Sequence, residues 1–433
     1  MRMYDIIEKK RDGGELTDDE LRFVVSGASD GGIPDYELTA LLMAIYFRGM
    51  SARETVTLTD AMAHSGDMLD LSEFGTRSVD KHSTGGVGDK TTLIAAPIAA
   101  SLGCAVAKMS GRGLGNTGGT VDKLESIPGY RTVMPREEFL DQVRRIGIAV
   151  IGQSGDMTPA DKRLYALRDV TATVDSTPLI ASSVMSKKLA AGGASIVLDV
   201  KAGGGAFMKD VQSAETLARE MISIGKSAGR RVSAIISNMN MPLGRCVGNA
   251  IEVSEAISVL KGEQHGALLD LSVALAAEMV SLAMNCAPDE ARLRVVRAVS
   301  SGAAYEKFVE WIENEGGDVH CIDNISLLPR SPISHVVRCG GCGYVAGIDA
   351  GAVGRAAMIL GAGRRSAGDS IDHGAGVEIH TEPGEYVKKS DAFCTAYTAD
   401  RSSLPDAEKI LRGALSLSDT EPDAEKLIFD TVN

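Results

Sequence analysis

The 433-residue sequence predicts an α/β fold: a small all-helical lobe, a larger mixed α/β lobe with a cleft between, and a β-rich C-terminal subdomain. Three observations predict it. Helical patterns fill residues 1–65 and return at 158–193. Strand–glycine loop–helix patterns, typical of a mostly parallel sheet, fill 75–155 and 194–334. From 335 to 433 short strands and glycine turns predict an α+β subdomain.

The N-terminal helices are predicted by their start signals. Thr17 with Glu20, and Ser51 with Glu54, have the spacing of capping boxes, in which each side chain satisfies a free backbone N–H group. Pro34 opens the mostly apolar stretch PDYELTALLMAIYFRGM, which predicts a buried or interface helix. We therefore expect a small helical bundle.

The loop DKHSTGGVGDKTT, residues 80–92, resembles a nucleotide-binding phosphate loop but departs from it at one position. Asp89 stands where that motif requires its last glycine. A carboxylate facing the ligand would disfavour a polyphosphate. The sequence therefore argues against a nucleoside triphosphate here.

Two predicted strands end in the same way, with Lys-x-Ser followed by glycines. These are Lys81 with Ser83, and Lys108 with Ser110. Residues i and i+2 share a face of a strand, and glycine-rich turns before helices expose backbone N–H groups. Two such arrays at one edge of a sheet predict a binding site for a small anion such as free phosphate.

Four further polar side chains belong to the candidate site. His82 lies between Lys81 and Ser83 and is either a general acid or a locally hydrogen-bonded residue. Ser183 and Lys187 are four residues apart and share one helix face. Arg168 precedes them in the second helical stretch. Solvated surface charge is the alternative for Arg168 and Lys187, but the apolar character of IASSVMSKKLAAG favours a cleft.

Composition restricts the partners and the compartment. A net charge of −13 argues against nucleic acid as a partner. No apolar run reaches the roughly 20 residues that a membrane span needs, and the N-terminus lacks a signal-peptide core, so we expect a cytoplasmic protein without membrane contact. The seven dispersed cysteines indicate reduced thiols. Cys339 and Cys342 are predicted to lie in a glycine turn, with a redox pair or half a zinc site as the alternative.

The motifs also resemble a known family. SGRGLGNTGGTVDKLES at 110–126 resembles the signature of the thymidine and pyrimidine-nucleoside phosphorylases, and VDKHSTGGVGD, GQSGDMTPADKRLYALRDVTATV, IASSVMSKKLAAG and GAFMK follow that family in order. The resemblance covers nearly the whole chain. It implies reversible phosphorolysis of uridine, thymidine and 2′-deoxyuridine to the free base and α-D-(deoxy)ribose 1-phosphate. It also implies phosphate as co-substrate, no organic cofactor, and a homodimer formed through the helical lobe.

Residue roles follow from the same resemblance. It implies that His82 hydrogen-bonds the base and helps its departure, and that Arg168, Ser183 and Lys187 contact the pyrimidine ring. The implied phosphate contacts are Lys81, Ser83, Thr92, Lys108, Ser110 and Thr120. Some bacterial members of the family hold a potassium ion, and the matching positions here are Gly88, Lys90, Leu243, Cys246 and Glu255. Lys90 departs from the small polar residue that is common there. If only its carbonyl faced the ion the change would be harmless, whereas an inward ammonium would replace or repel the ion.

Other functions remain open at this point. A thymidine-specific phosphorylase shares these motifs. A phosphoribosyltransferase of the anthranilate type shares the lobe arrangement but needs an acidic motif for magnesium that these loops lack. A nucleotide-dependent kinase or NTPase is disfavoured by Asp89. A non-catalytic binding protein is disfavoured because each matched position keeps a suitable residue.

Overall fold

A computed structural model describes residues 1–113, 118–153, 157–364, 366 and 369–433. Its helices are α1 Met3–Arg11, α2 Asp18–Asp30, α3 Asp35–Arg48, α4 Ala52–Ala63, α5 Thr91–Ser101, α6 Thr120–Glu125, α7 Arg136–Ile146, α8 Pro159–Val170, α9 Thr177–Ala190, α10 Val211–Ser227, α11 Ala250–Leu260, α12 Ala267–Met284, α13 Pro288–Ser300, α14 Ala303–Asn314, α15 His320–Asp323, α16 Ala350–Leu360 and α17 Leu404–Ala414. Its strands are β1 Val79–Ser83, β2 Val106–Ser110, β3 Ile148–Gly152, β4 Ser195–Ala202, β5 Arg231–Asn238, β6 Cys246–Gly248, β7 Ile333–Arg338, β8 Gly343–Ile348, β9 Gly376–Ile379, β10 Tyr386–Val387, β11 Ala392–Thr398, β12 Leu415–Ser418 and β13 Ile428–Val432.

The helical lobe is built from α1 to α4 together with α8 and part of α9. Leu21, Leu42 and Leu58 pack in one core with Leu164 and Leu179 from the later helices. Both predicted capping boxes are present, at the starts of α2 and α4. The chain therefore returns to its N-terminal bundle, as the fold prediction requires.

The central sheet positions the candidate site. Strands β1, β4 and β5 are parallel in the order β1-β4-β5, and β2 pairs in parallel with β3. A parallel bridge between Ser78 and Ala105 joins β1 to β2 at their beginnings. The carboxyl ends of these strands consequently meet at one edge, where ligands bind in open α/β sheets.

One apolar helix lies at the centre of the α/β lobe. By length and composition α12 could cross a membrane, but 56% of it is buried inside the protein. It packs against α5, α13 and the strands β1 and β4. A helix in this position is explained by the core that it fills.

The C-terminal region contributes two sheets and is interlocked with the α/β lobe. Its sheets have the orders β6-β9-β11-β7 and β10-β8-β12. Strand β6 comes from before residue 335, and β13 returns to pair antiparallel with β5 of the central sheet. On each side of the predicted boundary at residue 335, one strand thus belongs to a sheet of the other side. The three domain ranges stay a prediction.

The two neighbouring cysteines of the C-terminal region lie where the glycine turn was predicted. Cys339 and Cys342 are free thiols in the connection between β7 and β8. Gly340 takes a left-handed φ of +73° there, a conformation that glycine adopts without strain.

Candidate functional site

Asp80, the second residue of β1, joins lysines from β2 and α9 at the candidate site. Its carboxylate accepts hydrogen bonds from Lys108 Nζ at 3.2 Å and Lys188 Nζ at 2.6 Å. Lys108 also donates to the carbonyl of Lys81. Burial alone would raise the pKa of Asp80, but the two ammonium groups lower it to about 2. Asp80 is therefore ionised at neutral pH and orients both lysines.

Lys108 carries a charge that is sensitive to pH. Burial, together with the positive charges of Lys188 and Lys81, lowers the pKa of its ammonium group to about 8, and Asp80 opposes that shift. The group is thus mostly protonated at neutral pH and titrates just above it. An anion placed beside it would favour the protonated form.

A second charged cluster surrounds Lys81. Its Nζ donates to Thr91 Oγ1 at 2.5 Å and lies 3.3 Å from Asp199 Oδ2. Lys201 Nζ lies 2.8 Å from the same carboxylate oxygen. Asp89 accepts from the backbone N–H and hydroxyl of Thr91 at the start of α5. Its carboxylate is therefore committed to the loop and the cluster, and both lysines are buried beside carboxylates.

His82 is half-buried and lies close enough to Lys188 and Lys108 to feel their charges. Burial, followed by the positive charges of Lys188 and Lys108, lowers its pKa well below the usual value. The imidazole is therefore neutral at neutral pH and can donate one N–H hydrogen bond.

The remaining predicted phosphate contacts lie on the same strand ends and helix starts. Ser83 and Ser110 end β1 and β2 and are half-buried, Thr92 is buried in the first turn of α5, and Thr120 begins α6.

The second glycine loop is anchored by a side chain that the sequence did not single out. Asp122 accepts from the N–H groups of Gly113 and Gly119, at 2.7 and 2.8 Å, and from Arg364 at 2.7 Å. Residues 114–117, inside the family motif, lie outside the described residues.

Lys187 and Ser183 lie together on α9, as predicted. Lys187 Nζ donates to Ser183 Oγ at 3.0 Å and lies 2.5 Å from Asp161 on α8. It also lies 5.7 Å from the ring centroid of Tyr165. With 26% of its side chain exposed, the ammonium group is fixed in place and still accessible.

Arg168 is held more tightly than the sequence suggests. It is 2% exposed, and it donates to the carbonyls of Thr173, Val174 and Leu179. A guanidinium group has five N–H donors, so two are left after these three bonds. Arg168 thus ties α8 to the start of α9, and a contact with a ligand would have to use the remaining donors.

The predicted potassium position contains an ammonium group. Lys90 Nζ donates to the carbonyls of Leu243 and Cys246, at 3.0 and 2.8 Å, and to Glu255 Oε2 at 2.6 Å. Gly88 lies against the same segment. A cation cannot occupy that point as well, so these residues do not fit a potassium ion, and of the two orientations left open for Lys90 the inward one is observed.

Five charged residues of the candidate site were not predicted from the sequence: Asp80, Lys188, Asp199, Lys201 and Asp122. Charged residues inside apolar strands, such as Asp199 and Lys201 of β4, are the signal that could have found them, because such side chains are rarely buried unless paired. Lys188 carries no such signal, since it follows Lys187 directly and only the packing of α9 separates their roles.

Comparisons with known proteins match the whole chain. The family model described as the glycosyl transferase family a/b domain matches residues 75–305, its helical bundle domain matches 4–66, and the pyrimidine nucleoside phosphorylase C-terminal domain matches 344–418. The chain is 50% identical to a pyrimidine-nucleoside phosphorylase of Geobacillus stearothermophilus, over 100% of both chains. It is 49% identical to that of Staphylococcus haemolyticus, over 96% of both.

A solved structure shares the fold. The anthranilate phosphoribosyltransferase of Thermus thermophilus superposes with a TM-score of 0.58 at 19% identity, covering 71% of this chain and 98% of that one. At this identity the likeness concerns the fold alone.

Proposed function

Because the chain belongs to the family of pyrimidine-nucleoside phosphorylases, we propose that it catalyses the reversible phosphorolysis of pyrimidine nucleosides, namely uridine, thymidine and 2′-deoxyuridine. The products would be the free base and α-D-(deoxy)ribose 1-phosphate. The observation that carries the proposal is the 50% identity over the full length of a relative with that name. The lysine clusters at the carboxyl edge of the sheet support it independently.

Phosphate would bind at the ends of β1 and β2. Lys81 and Lys108 supply ammonium groups there, and Ser83, Ser110, Thr92 and Thr120 supply hydroxyls on the adjoining strand ends and helix starts. Buried carboxylates beside both lysines keep the empty site from accumulating uncompensated charge. Such a site favours one small dianion.

The reaction would be a displacement at the anomeric carbon. A phosphate oxygen forms a bond to C1′, the glycosidic C1′–N1 bond breaks, and its electron pair leaves with the base. Attack from the face opposite the base inverts the β-nucleoside to the α-1-phosphate. Holding both substrates in one site removes much of the entropic barrier.

The departing base carries negative charge, which α8 and α9 would stabilise. Lys187, with Ser183, presents an accessible ammonium group, and Arg168 would contribute its two remaining N–H donors. His82, neutral in the free protein, would donate a hydrogen bond to the base, which then takes its proton from solvent.

The assembly and location are proposed on more general grounds. We keep the predictions of a homodimer through the helical lobe, a cytoplasmic location, no nucleic acid or membrane partner and no organic cofactor. A row of exposed side chains on α3 supports the dimer: Tyr36, Ala40 and Phe47, with the half-buried Met43 between them.

The proposal is tested by base release. The purified protein is mixed with phosphate and, separately, with uridine, thymidine and 2′-deoxyuridine, and the free base is followed by chromatography. Turnover of all three supports the broad activity. Turnover of the deoxynucleosides alone restricts the enzyme to a thymidine phosphorylase, and no base release from any substrate refutes phosphorolysis. Lys187→Ala is the control for a contaminating activity, because its rate should fall about 100-fold or more.

A further inference from the structure

The buried ammonium group of Lys90 has the surroundings of a bound alkali cation. Its three hydrogen bonds go to two backbone carbonyls and one carboxylate oxygen, at distances of 2.6 to 3.0 Å. An ammonium group has three N–H donors, so each is matched by one acceptor. The side chain is fully buried, and that of Glu255 is 2% exposed.

An ammonium group and a potassium ion carry the same charge and are similar in size. Both prefer oxygen ligands, and a backbone carbonyl serves either one. Burial alone would lower the pKa of Lys90, but the carboxylates of Glu255 and Glu252 raise it above its ordinary value. The positive charge is therefore permanent over the working pH range of a protein.

The contacts join three separate parts of the chain. Lys90 ends the first glycine loop and directly precedes α5, Leu243 and Cys246 flank the entrance to β6, and Glu255 lies on α11. Gly88 has a φ of +71°, and a Cβ there would lie 2.7 Å from the Leu243 carbonyl. The chain around Asp89 and Thr91 is thus in close contact with the segment from Leu243 to Cys246, whose carbonyls accept hydrogen bonds from Lys90.

Both carboxylate oxygens of Glu255 also accept hydrogen bonds from groups other than Lys90. One carboxylate oxygen accepts from Arg245 N and Gln264 Nε2, both at 2.6 Å, and the other accepts from Cys246 N at 2.9 Å as well as from Lys90. Removing the Lys90 ammonium group would leave the buried Glu255 carboxylate and the carbonyls of Leu243 and Cys246 without their positive partner. The loss of one partner from a buried ion pair is strongly destabilising.

We propose that the ammonium group of Lys90 is a covalently attached replacement for a monovalent cation, so that this protein needs no potassium ion for its stability or its activity. The inference does not depend on the proposed reaction, because its main readout is thermal unfolding.

The first test uses the unaltered protein. Unfolding midpoints and initial rates of base release are measured in potassium chloride and in tetramethylammonium chloride at equal ionic strength. We expect the same midpoint and the same rate in both salts. A midpoint or a rate that rises specifically and saturably with potassium would overturn the proposal, whether or not any variant folds.

The second test removes the Lys90 ammonium group by substitution and supplies potassium ions in the buffer instead. Lys90→Ser should lower the midpoint by roughly 5–10 °C in tetramethylammonium chloride, and potassium should restore most of that loss with a saturable dependence. Lys90→Met removes the charge but fills the space, so its midpoint should fall and stay low in potassium. A Lys90→Ser midpoint equal to that of the unaltered protein without potassium would overturn the proposal.

A matched control separates a specific site from a general salt effect. Lys123 is also buried and lies 3.3 Å from Glu252, one turn before Glu255 on α11, but among the residues that the structure describes it donates to one carbonyl, that of Gly118. Lys123→Ser should be destabilised without rescue by potassium. Equal rescue of both serine variants would overturn the assignment of a cation position to Lys90.

Discussion

At the scale of single residues, His82 has an environment that favours its neutral form. Burial lowers its pKa, and the charges of Lys188 and Lys108 lower it further, so a positively charged imidazole is costly in the free protein. A neutral ring can still donate one hydrogen bond to a departing base. Glutamine keeps an N–H donor of similar reach and has no imidazolium form, so it distinguishes hydrogen bonding from proton transfer.

We therefore expect His82→Gln to keep kcat within about tenfold of the unaltered protein, and His82→Ala to lose about 100- to 1000-fold. The kcat/KM profile between pH 6 and 8 should have the same shape for the unaltered protein and His82→Gln. If His82→Gln is as slow as His82→Ala, or lacks a fall in rate with rising pH that the unaltered protein has, proton transfer from an imidazolium group is the correct mechanism.

Lys108 gives a second prediction at this scale. Its ammonium group, with a pKa of about 8, is protonated below that pH and neutral above it. The contribution to phosphate binding that we propose for it should therefore be lost as the pH rises through about 8. Because the charge of Lys188 helps to lower this pKa, Lys188→Met should move the falling limb of kcat/KM for phosphate to higher pH.

The measurement is the initial rate at varied phosphate between pH 6 and 10. Lys226→Met, which removes an exposed lysine from α10, is the control and should leave the limb in place. A limb that stays at about pH 8, or moves down, in Lys188→Met would contradict the coupling between the two lysines.

At the scale of elements, Glu315 connects α14 to the sheet. One carboxylate oxygen accepts from Val150 N of β3 at 2.8 Å, and from Gln142 of α7 and Trp311 of α14, both at 3.1 Å. Burial raises its pKa from 4.5 to about 7, although these hydrogen bonds oppose the shift. Since the folded pKa exceeds the unfolded one, the stability that depends on protonation is fully present below about pH 4.5 and is lost as the pH rises to about 7.

We expect this loss to be about 3 kcal/mol in the free energy of unfolding. Glu315→Gln remains neutral at every pH, so it should gain stability over the unaltered protein between pH 5 and pH 8. Urea unfolding at both values measures the difference. Glu306→Gln, on the exposed side of α14, is the control. A gap between Glu315→Gln and the unaltered protein that is the same at both pH values would contradict a raised pKa.

The elements also show what the sequence can and cannot predict. The capping boxes at Thr17 and Ser51 were predictable because both partners lie within one helical turn. The direction of Lys90 was not, because its acceptors lie 153, 156 and 165 residues further along the chain. Sequence reasoning found the lysines at the two strand ends and missed the buried carboxylates that orient them, since those pairings form only when the strands are assembled.

At the scale of the whole molecule, the architecture was predictable and its connections were not. Helical periodicity and repeated strand–loop–helix units specify the two lobes locally. Two strand pairs join segments far apart in sequence: β13 pairs with β5, and β6 pairs with β9 of the C-terminal sheet. The sequence of such a short strand does not indicate which strand it pairs with.

The helical lobe has an outer surface that suits a second copy of the chain. On α3 the positions of Tyr36, Ala40, Met43 and Phe47 are spaced four, three and four residues apart and therefore share one face. Tyr36 and Phe47 are each 75% exposed. We predict that this face forms the dimer contact, because exposed aromatic side chains in a continuous row are typical of protein interfaces.

Sedimentation velocity should then give a mass of twice 45.4 kDa for the unaltered protein at micromolar concentration. Phe47→Glu places a charge at the end of the row and should shift the equilibrium toward 45.4 kDa while leaving the unfolding midpoint of the monomer nearly unchanged, because Phe47 contributes little to the core of its own chain. Tyr386→Glu, at a 55% exposed aromatic residue of the C-terminal region, should remain dimeric. A monomeric unaltered protein, or equal dissociation of both variants, would mean that this face of α3 is not the contact between copies.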